Sequence, residues 1–149
     1  MIHRLAPTLA LAAFLAPAAS PAASLGVHFT WAGTAACSTV PPAFTISGVP
    51  AGTRSLVFTL VDLDKPDYVH GGGQVTYSGS GAIPAGAFGG SYRGPCPPAG
   101  AVHTYRWTVE AMDPGNKVLA QRRRDGEISA AVVGNLGIDR PIASLDVAP

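Results

Sequence analysis

Two short stretches of the 149-residue chain carry side chains suited to proton chemistry and anion contact. Asp62-Leu63-Asp64-Lys65-Pro66 is followed by His70, and Gly94-Pro95-Cys96-Pro97-Pro98 is followed by His103 and Tyr105. Asp62 and Asp64 stand at i and i+2, so they share a face wherever a strand persists, and Pro66 stiffens the turn behind them. One of these carboxylates can hold the imidazole of His70 or His103 in a fixed tautomer and favour its charged form, a good anion contact. The plainer alternative is that both carboxylates cap a strand end and a turn, as Asp often does.

The glycines and prolines around these groups carry their own information. Gly71-Gly72-Gly73 directly follows His70. Three glycines lack side chains to pack and suit a backbone that must approach something closely, or a concavity of N–H groups that binds an anion. A flexible hairpin tip is the alternative. In Gly94 to Pro98 three of five residues are proline, which fixes φ and makes a rigid ledge. His103 and Tyr105, at i and i+2 of an alternating strand, point the same way and can wall a small pocket. Tyr105 can equally belong to an aromatic core stripe.

Strands must position these groups. Val27, Phe29 and Trp31 alternate with His28 and Thr30 in a half-buried strand, Leu25 to Trp31. Pro41-Pro42 introduces Phe44-Thr45-Ile46, and Gly48-Val49-Pro50-Ala51-Gly52 closes it with turn chemistry. Ser55 to Val61 is a nearly continuous β-prone run that predicts a central strand covered on both faces and delivers Asp62 at its end. A weaker strand, Gln74 to Tyr77, follows the glycines. Ser78 to Pro98 is a long Gly/Pro-rich loop with Ile83, Phe88 and Tyr92 as isolated anchors. From His103 to Met112, Tyr105, Trp107, Val109 and Ala111 alternate with polar residues; Asp113-Pro114-Gly115-Asn116 then turns the chain into Lys117 to Ala120. Glu127 to Leu136 reads as a short helix or another strand, and Ile142 to Val147 as a last edge strand. The pattern predicts an all-β antiparallel sandwich with little helix.

The chain opens with the layout of a secretory signal peptide: a cationic Met1-Ile2-His3-Arg4, an apolar run from Leu5 to Ala16, and small-x-small sites that place cleavage after about residue 18 or 24. That leaves residues 25–149 as a single domain of ordinary size in the periplasm or outside the cell. The apolar run is too short for a stable span. Losing Arg4 leaves the mature charges balanced, so nothing electrostatic predicts nucleic acid or an anionic membrane surface as partner. Arg122-Arg123-Arg124 is a local exception, read as a solvated loop or a contact for an acidic partner. The two cysteines, Cys37 and Cys96, in an exported chain favour a disulfide closing a loop of about sixty residues; two free buried thiols are the competing reading.

The order Asp62-Leu63-Asp64-Lys65-Pro66, His70, Gly94-Pro95-Cys96-Pro97-Pro98, His103-Thr104-Tyr105-Arg106-Trp107 resembles the phosphatidylethanolamine-binding protein family. More narrowly it resembles the exported bacterial branch described as Raf-kinase-inhibitor-like. Pro42-Ala43-Phe44 and Gly48 to Leu56 are similar to the family's lead-in to its central strand. The resemblance implies packed antiparallel sheets with a small surface pocket for phosphate or a phospholipid headgroup. By motif, that pocket is lined by Asp62, Asp64, Pro66, His70, Gly94, Pro95, His103 and Tyr105. It further implies a binding and regulatory protein without enzymatic activity, without cofactor or metal, and with a kinase or protease as a possible protein target. Three departures stand out: Leu63 replaces the family's Pro, Lys65 its Ala, and Gly71 the aromatic residue that usually follows the histidine.

A different class of function is a metal-dependent or acid–base hydrolase built on Asp62, Asp64, His70 and His103, since two His and two carboxylates can bind Zn²⁺ or Fe²⁺. Their spacing follows no metal motif, and no Ser or Cys stands in a nucleophile setting.

Overall fold

The computed structural model describes residues 24–88 and 90–129. The expected leader (but for Ser24), the Ile142 to Val147 strand and residues 130–136 lie outside them. Seven strands are described: β1 (Gly26–Phe29), β2 (Phe44–Ser47), β3 (Ser55–Asp62), β4 (Val69–Thr76), β5 (Ala82–Ile83), β6 (Val102–Met112) and β7 (Val118–Ser129). They form two antiparallel sheets, ordered β1-β2-β5 and β4-β3-β6-β7. No helix occurs among the described residues, and none there is long and apolar enough to cross a membrane. The all-β antiparallel sandwich expected from the alternation is the fold observed.

The inner faces of the two sheets meet in an aromatic core. Val27, Phe44, Ile46 and Ile83 from the smaller sheet pack with Leu56, Phe58, Leu60, Tyr105, Trp107, Val109 and Ala111 from the larger. Phe44 lies 4.8 Å from Phe58 and 5.0 Å from Trp107, centroid to centroid, so it joins the two sheets. Phe88 stacks on Phe58 at 4.8 Å and Tyr92 on Trp107 at 5.6 Å. Two of the three anchors of the Gly/Pro-rich loop thus plug the core; burying such rings contributes about 1.5–3 kcal/mol each. The alternation of β6 is realised in full, with Tyr105, Trp107, Val109 and Ala111 all buried. Asp113 shapes the β6–β7 hairpin: its Oδ1 accepts the Gly115 and Lys117 N–H groups, and Asn116 takes the left-handed conformation that Asn tolerates best after Gly.

Three expectations need correction. β3 is central, but among the described residues only its inner face is covered: Leu56, Phe58 and Leu60 are buried while Thr59 is exposed. Thr59 shows why periodicity misled here, since a β-branched hydroxyl side chain satisfies strand propensity without needing burial. The three glycines do not precede a strand; they lie inside β4, so they are no hairpin tip. Arg122 to Arg124 are not a loop but the middle of β7, paired with Val109 to Trp107. A twelve-residue β7 outlasts the expected Lys117–Ala120 arm because β6 offers a partner along its whole length.

Candidate functional site

The register between β3 and β6 builds the site. Asp62, the last residue of β3, stands opposite Tyr105 of β6. Both side chains point to the inner face, where Asp62 is 3% exposed and Tyr105 fully buried. His103, two residues before Tyr105, shares that face. Its Nδ1 donates to Asp62 Oδ2 over 2.7 Å. An ionised carboxylate can only accept, so the contact fixes the imidazole tautomer with hydrogen on Nδ1. The His103 side chain keeps 17% of its surface open, which leaves the ring reachable from solvent.

Asp62 is saturated from the other side as well. Its Oδ1 accepts the N–H groups of Asp64 at 2.9 Å and Lys65 at 3.0 Å. Burial alone would raise its pKa, but the hydrogen bonds from His103, the Asp64 backbone and the Tyr105 hydroxyl outweigh it. The carboxyl is held below its ordinary 3.8. Burial, reinforced by the Asp62 charge, pushes the Tyr105 phenol well above the usual tyrosine range, so it stays a neutral hydroxyl. Asp64 takes a positional role: its Oδ2 accepts the Thr104 N–H at 2.6 Å, while Leu63 N–H donates to Thr104 C=O at 2.8 Å. These bonds zip the acidic turn onto the start of β6, beside His103.

His70 enters from β4 and is 2% exposed. Its ring lies edge-on to Tyr105 with centroids 5.3 Å apart, and the His103 ring lies 6.2 Å from the same tyrosine, at 30° to its plane. His70 Nδ1 donates to Arg93 C=O at 2.7 Å while His70 C=O accepts the Arg93 N–H at 2.8 Å. This reciprocal pair clamps the loop before the ledge to the edge of β4. The glycines make the clamp possible. A Cβ on Gly71 would overlap the Ser91 carbonyl, one on Gly72 the Phe58 carbonyl, and one on Gly73 would sit 2.7 Å from Phe88. The close approach expected of the triglycine is real, but the partner is the protein's own chain.

The ledge lies alongside. Gly94 and Pro95 are buried; Gly94 N–H donates to Ser38 C=O at 2.7 Å, and Pro95 C=O accepts the Cys37 N–H at 2.8 Å. Cys37 and Cys96 form a disulfide, which settles the choice against free thiols. The Cys96 N–H donates to the Tyr105 hydroxyl at 3.3 Å, so the ledge touches the site through Tyr105. Asp62, His70, His103 and Tyr105 thus converge, with Asp64 beside them and Gly94 and Pro95 forming the ledge behind. Pro66 is exposed in the turn that Tyr68 N–H closes onto Lys65 C=O, and is not among the groups that converge on Tyr105. Arg93 escaped the sequence reading because it acts through its backbone, which leaves no side-chain signal.

Asp62, Asp64 and His103 offer three ligand atoms within 4.8 Å of one another. His70 is not among them, and Asp62 and Asp64 already accept hydrogen bonds, so the geometry lends the hydrolase alternative no support. A separate open hollow of about 330 Å³, lined by Thr39, Val69, Gly90, Ser91, Tyr92 and Arg93, lies beside the start of β4 and includes none of the expected site residues.

A family model for phosphatidylethanolamine-binding proteins matches residues 16–142. The chain belongs to that family. Among solved structures it is similar to Escherichia coli YbcL, described as a new member of the mammalian family, at 22% identity. That match covers 61% of this chain and 80% of that one, with a TM-score of 0.46. No curated protein matches the chain. Family membership makes this a ligand-binding or regulatory protein at the level the family shares.

Proposed function

We propose that the chain is an exported, non-enzymatic binding protein whose Asp62–His103 site takes up phosphate or a phosphorylated headgroup, and that this uptake serves an inhibitor-like regulatory role of the Raf-kinase-inhibitor-like kind. The observation that carries the reading is the presence beside Tyr105 of two imidazoles whose Nδ1 atoms are already committed, one to Asp62 and one to the Arg93 carbonyl. Each ring has only Nε2 left for a ligand. To donate from Nε2 while Nδ1 keeps its hydrogen, the ring must be protonated. Anion uptake therefore takes up a proton and tightens as pH falls.

A bare buried carboxylate would repel the ligand. Here the Asp62 charge faces three N–H donors, and a protonated His103 makes the pair neutral before the anion arrives. Export is supported by the leader-like start and agrees with the disulfide. Calorimetric titration with inorganic phosphate and with phosphoethanolamine tests the proposal. Binding should be saturable, tighter at lower pH down to about pH 5, and lost in His103→Gln. Equal binding by His103→Gln would overturn it.

A further inference from the structure

We infer that the Cys37–Cys96 disulfide is a thiol-redox control on this site: when bonded it holds the wall against which Tyr105 is set, and when reduced it releases that wall and weakens anion uptake. The inference rests on the anion reading for the identity of the ligand, though not for the structural coupling.

The cross-link is placed to act this way. Both cysteines are exposed, so a dithiol can reach the sulfur atoms without opening the core. The segment from Trp31 to Val40 contains no strand. It is tied to the ledge by two backbone bonds, Cys37 N–H to Pro95 C=O and Gly94 N–H to Ser38 C=O, and both flank the disulfide. Cys37 itself sits at φ +55°, a left-handed conformation that a non-glycine residue keeps only while its surroundings impose it. Freed of the cross-link, Cys37 gains by leaving that conformation, and its hydrogen bond to Pro95 goes with it.

The next residue of the ledge transmits the change. Cys96 supplies the peptide N–H that the Tyr105 hydroxyl accepts. Tyr105 is fully buried and its ring neighbours those of both His70 and His103. When Cys96 moves, the buried hydroxyl loses that donor, and the ring next to both imidazoles keeps only its tie to Asp62. Pro95, Pro97 and Pro98 stiffen the ledge, so it shifts as a piece and does not absorb the change locally.

The reaction is ordinary exchange with a dithiol reductant. One reductant thiolate attacks the sulfur of one cysteine, the S–S bond breaks, and the other cysteine leaves as a thiolate and is protonated. The second reductant thiol then resolves the mixed disulfide. The protein gains two electrons and two protons, and the reductant is oxidised to its own disulfide.

NMR of the full chain in its oxidised, dithiothreitol-reduced and reoxidised forms, each titrated with inorganic phosphate, tests the proposal. Reduction should move the Cys96 amide and the Tyr105 and His103 ring signals before any phosphate is added. It should leave the Trp107 and Val109 core signals in place, weaken phosphate binding by about tenfold or more, and reverse on reoxidation. A Cys37→Ser/Cys96→Ser double variant should reproduce the reduced form. Unchanged site signals on reduction would overturn the inference. So would loss of the Trp107 and Val109 signals together with those of the site, which would make the bridge a staple of the whole fold. The ligand-free signals test the coupling, and the phosphate response of the oxidised protein tests the anion reading, so the two can fail separately.

Discussion

Replacing Asp62 by Asn removes one charge from a nearly enclosed pair and should cost stability in a way that depends on pH. Asn keeps a carbonyl oxygen for the Asp64 and Lys65 N–H groups, but it cannot offer a charged acceptor to His103 Nδ1, now 2.7 Å away. Hydrogen bonds to charged groups contribute about 1.5–3 kcal/mol. Adding the weakening of the two backbone bonds gives a loss of about 2–4 kcal/mol at neutral pH. The wild-type carboxyl is held below its ordinary value of 3.8, so the unfolded chain binds the proton first as pH falls. The stabilisation is complete above the unfolded value and disappears as pH drops through the lower folded one. Urea denaturation of both proteins at neutral pH and near pH 2 measures this directly. The gap should be widest at neutral pH and narrow below 3.8. A gap under about 0.5 kcal/mol, or one that does not change between the two conditions, would refute the reasoning.

Other positions give sharper contrasts. Gly72→Ala should destabilise by about 3 kcal/mol or more, because its Cβ meets the fixed Phe58 carbonyl; Gly79→Ala, at φ +94° with open space around it, should cost about 1 kcal/mol, both read by thermal denaturation. Trp107→Ala, which empties the centre of the aromatic core, should cost about 3–5 kcal/mol or prevent folding. Arg106→Gln breaks the two-pronged bond to Asp125, but on an exposed face, so denaturant titration should register less than about 1 kcal/mol.

Much of the fold could be read in the chain because its signals are local. The strict alternation from Tyr105 to Ala111 specifies a strand with one buried face, and the Asp-Pro-Gly-Asn run specifies the turn after it. The meeting of Asp62 and His103 was legible through the order of several motifs, although it depends on a register between residues 41 apart. What stayed hidden is mostly backbone chemistry and long-range pairing. Gly71 to Gly73 look like a break until Ser91, the Phe58 carbonyl and Phe88 are seen pressed against them. Arg122 to Arg124 look like a solvated loop until β6 is there to pair with them. The hold of Arg93 on His70 passes through two main-chain groups, which no side-chain pattern encodes.

The central claim is that the two imidazoles beside Tyr105 receive a phosphate-like anion. Ring resonances of His70 and His103, followed by NMR while inorganic phosphate is added to the oxidised protein, test it most directly. Saturable shifts of both, strengthening as pH falls, are the predicted result. If phosphate moves neither histidine at any pH at which the protein is folded, the account is contradicted.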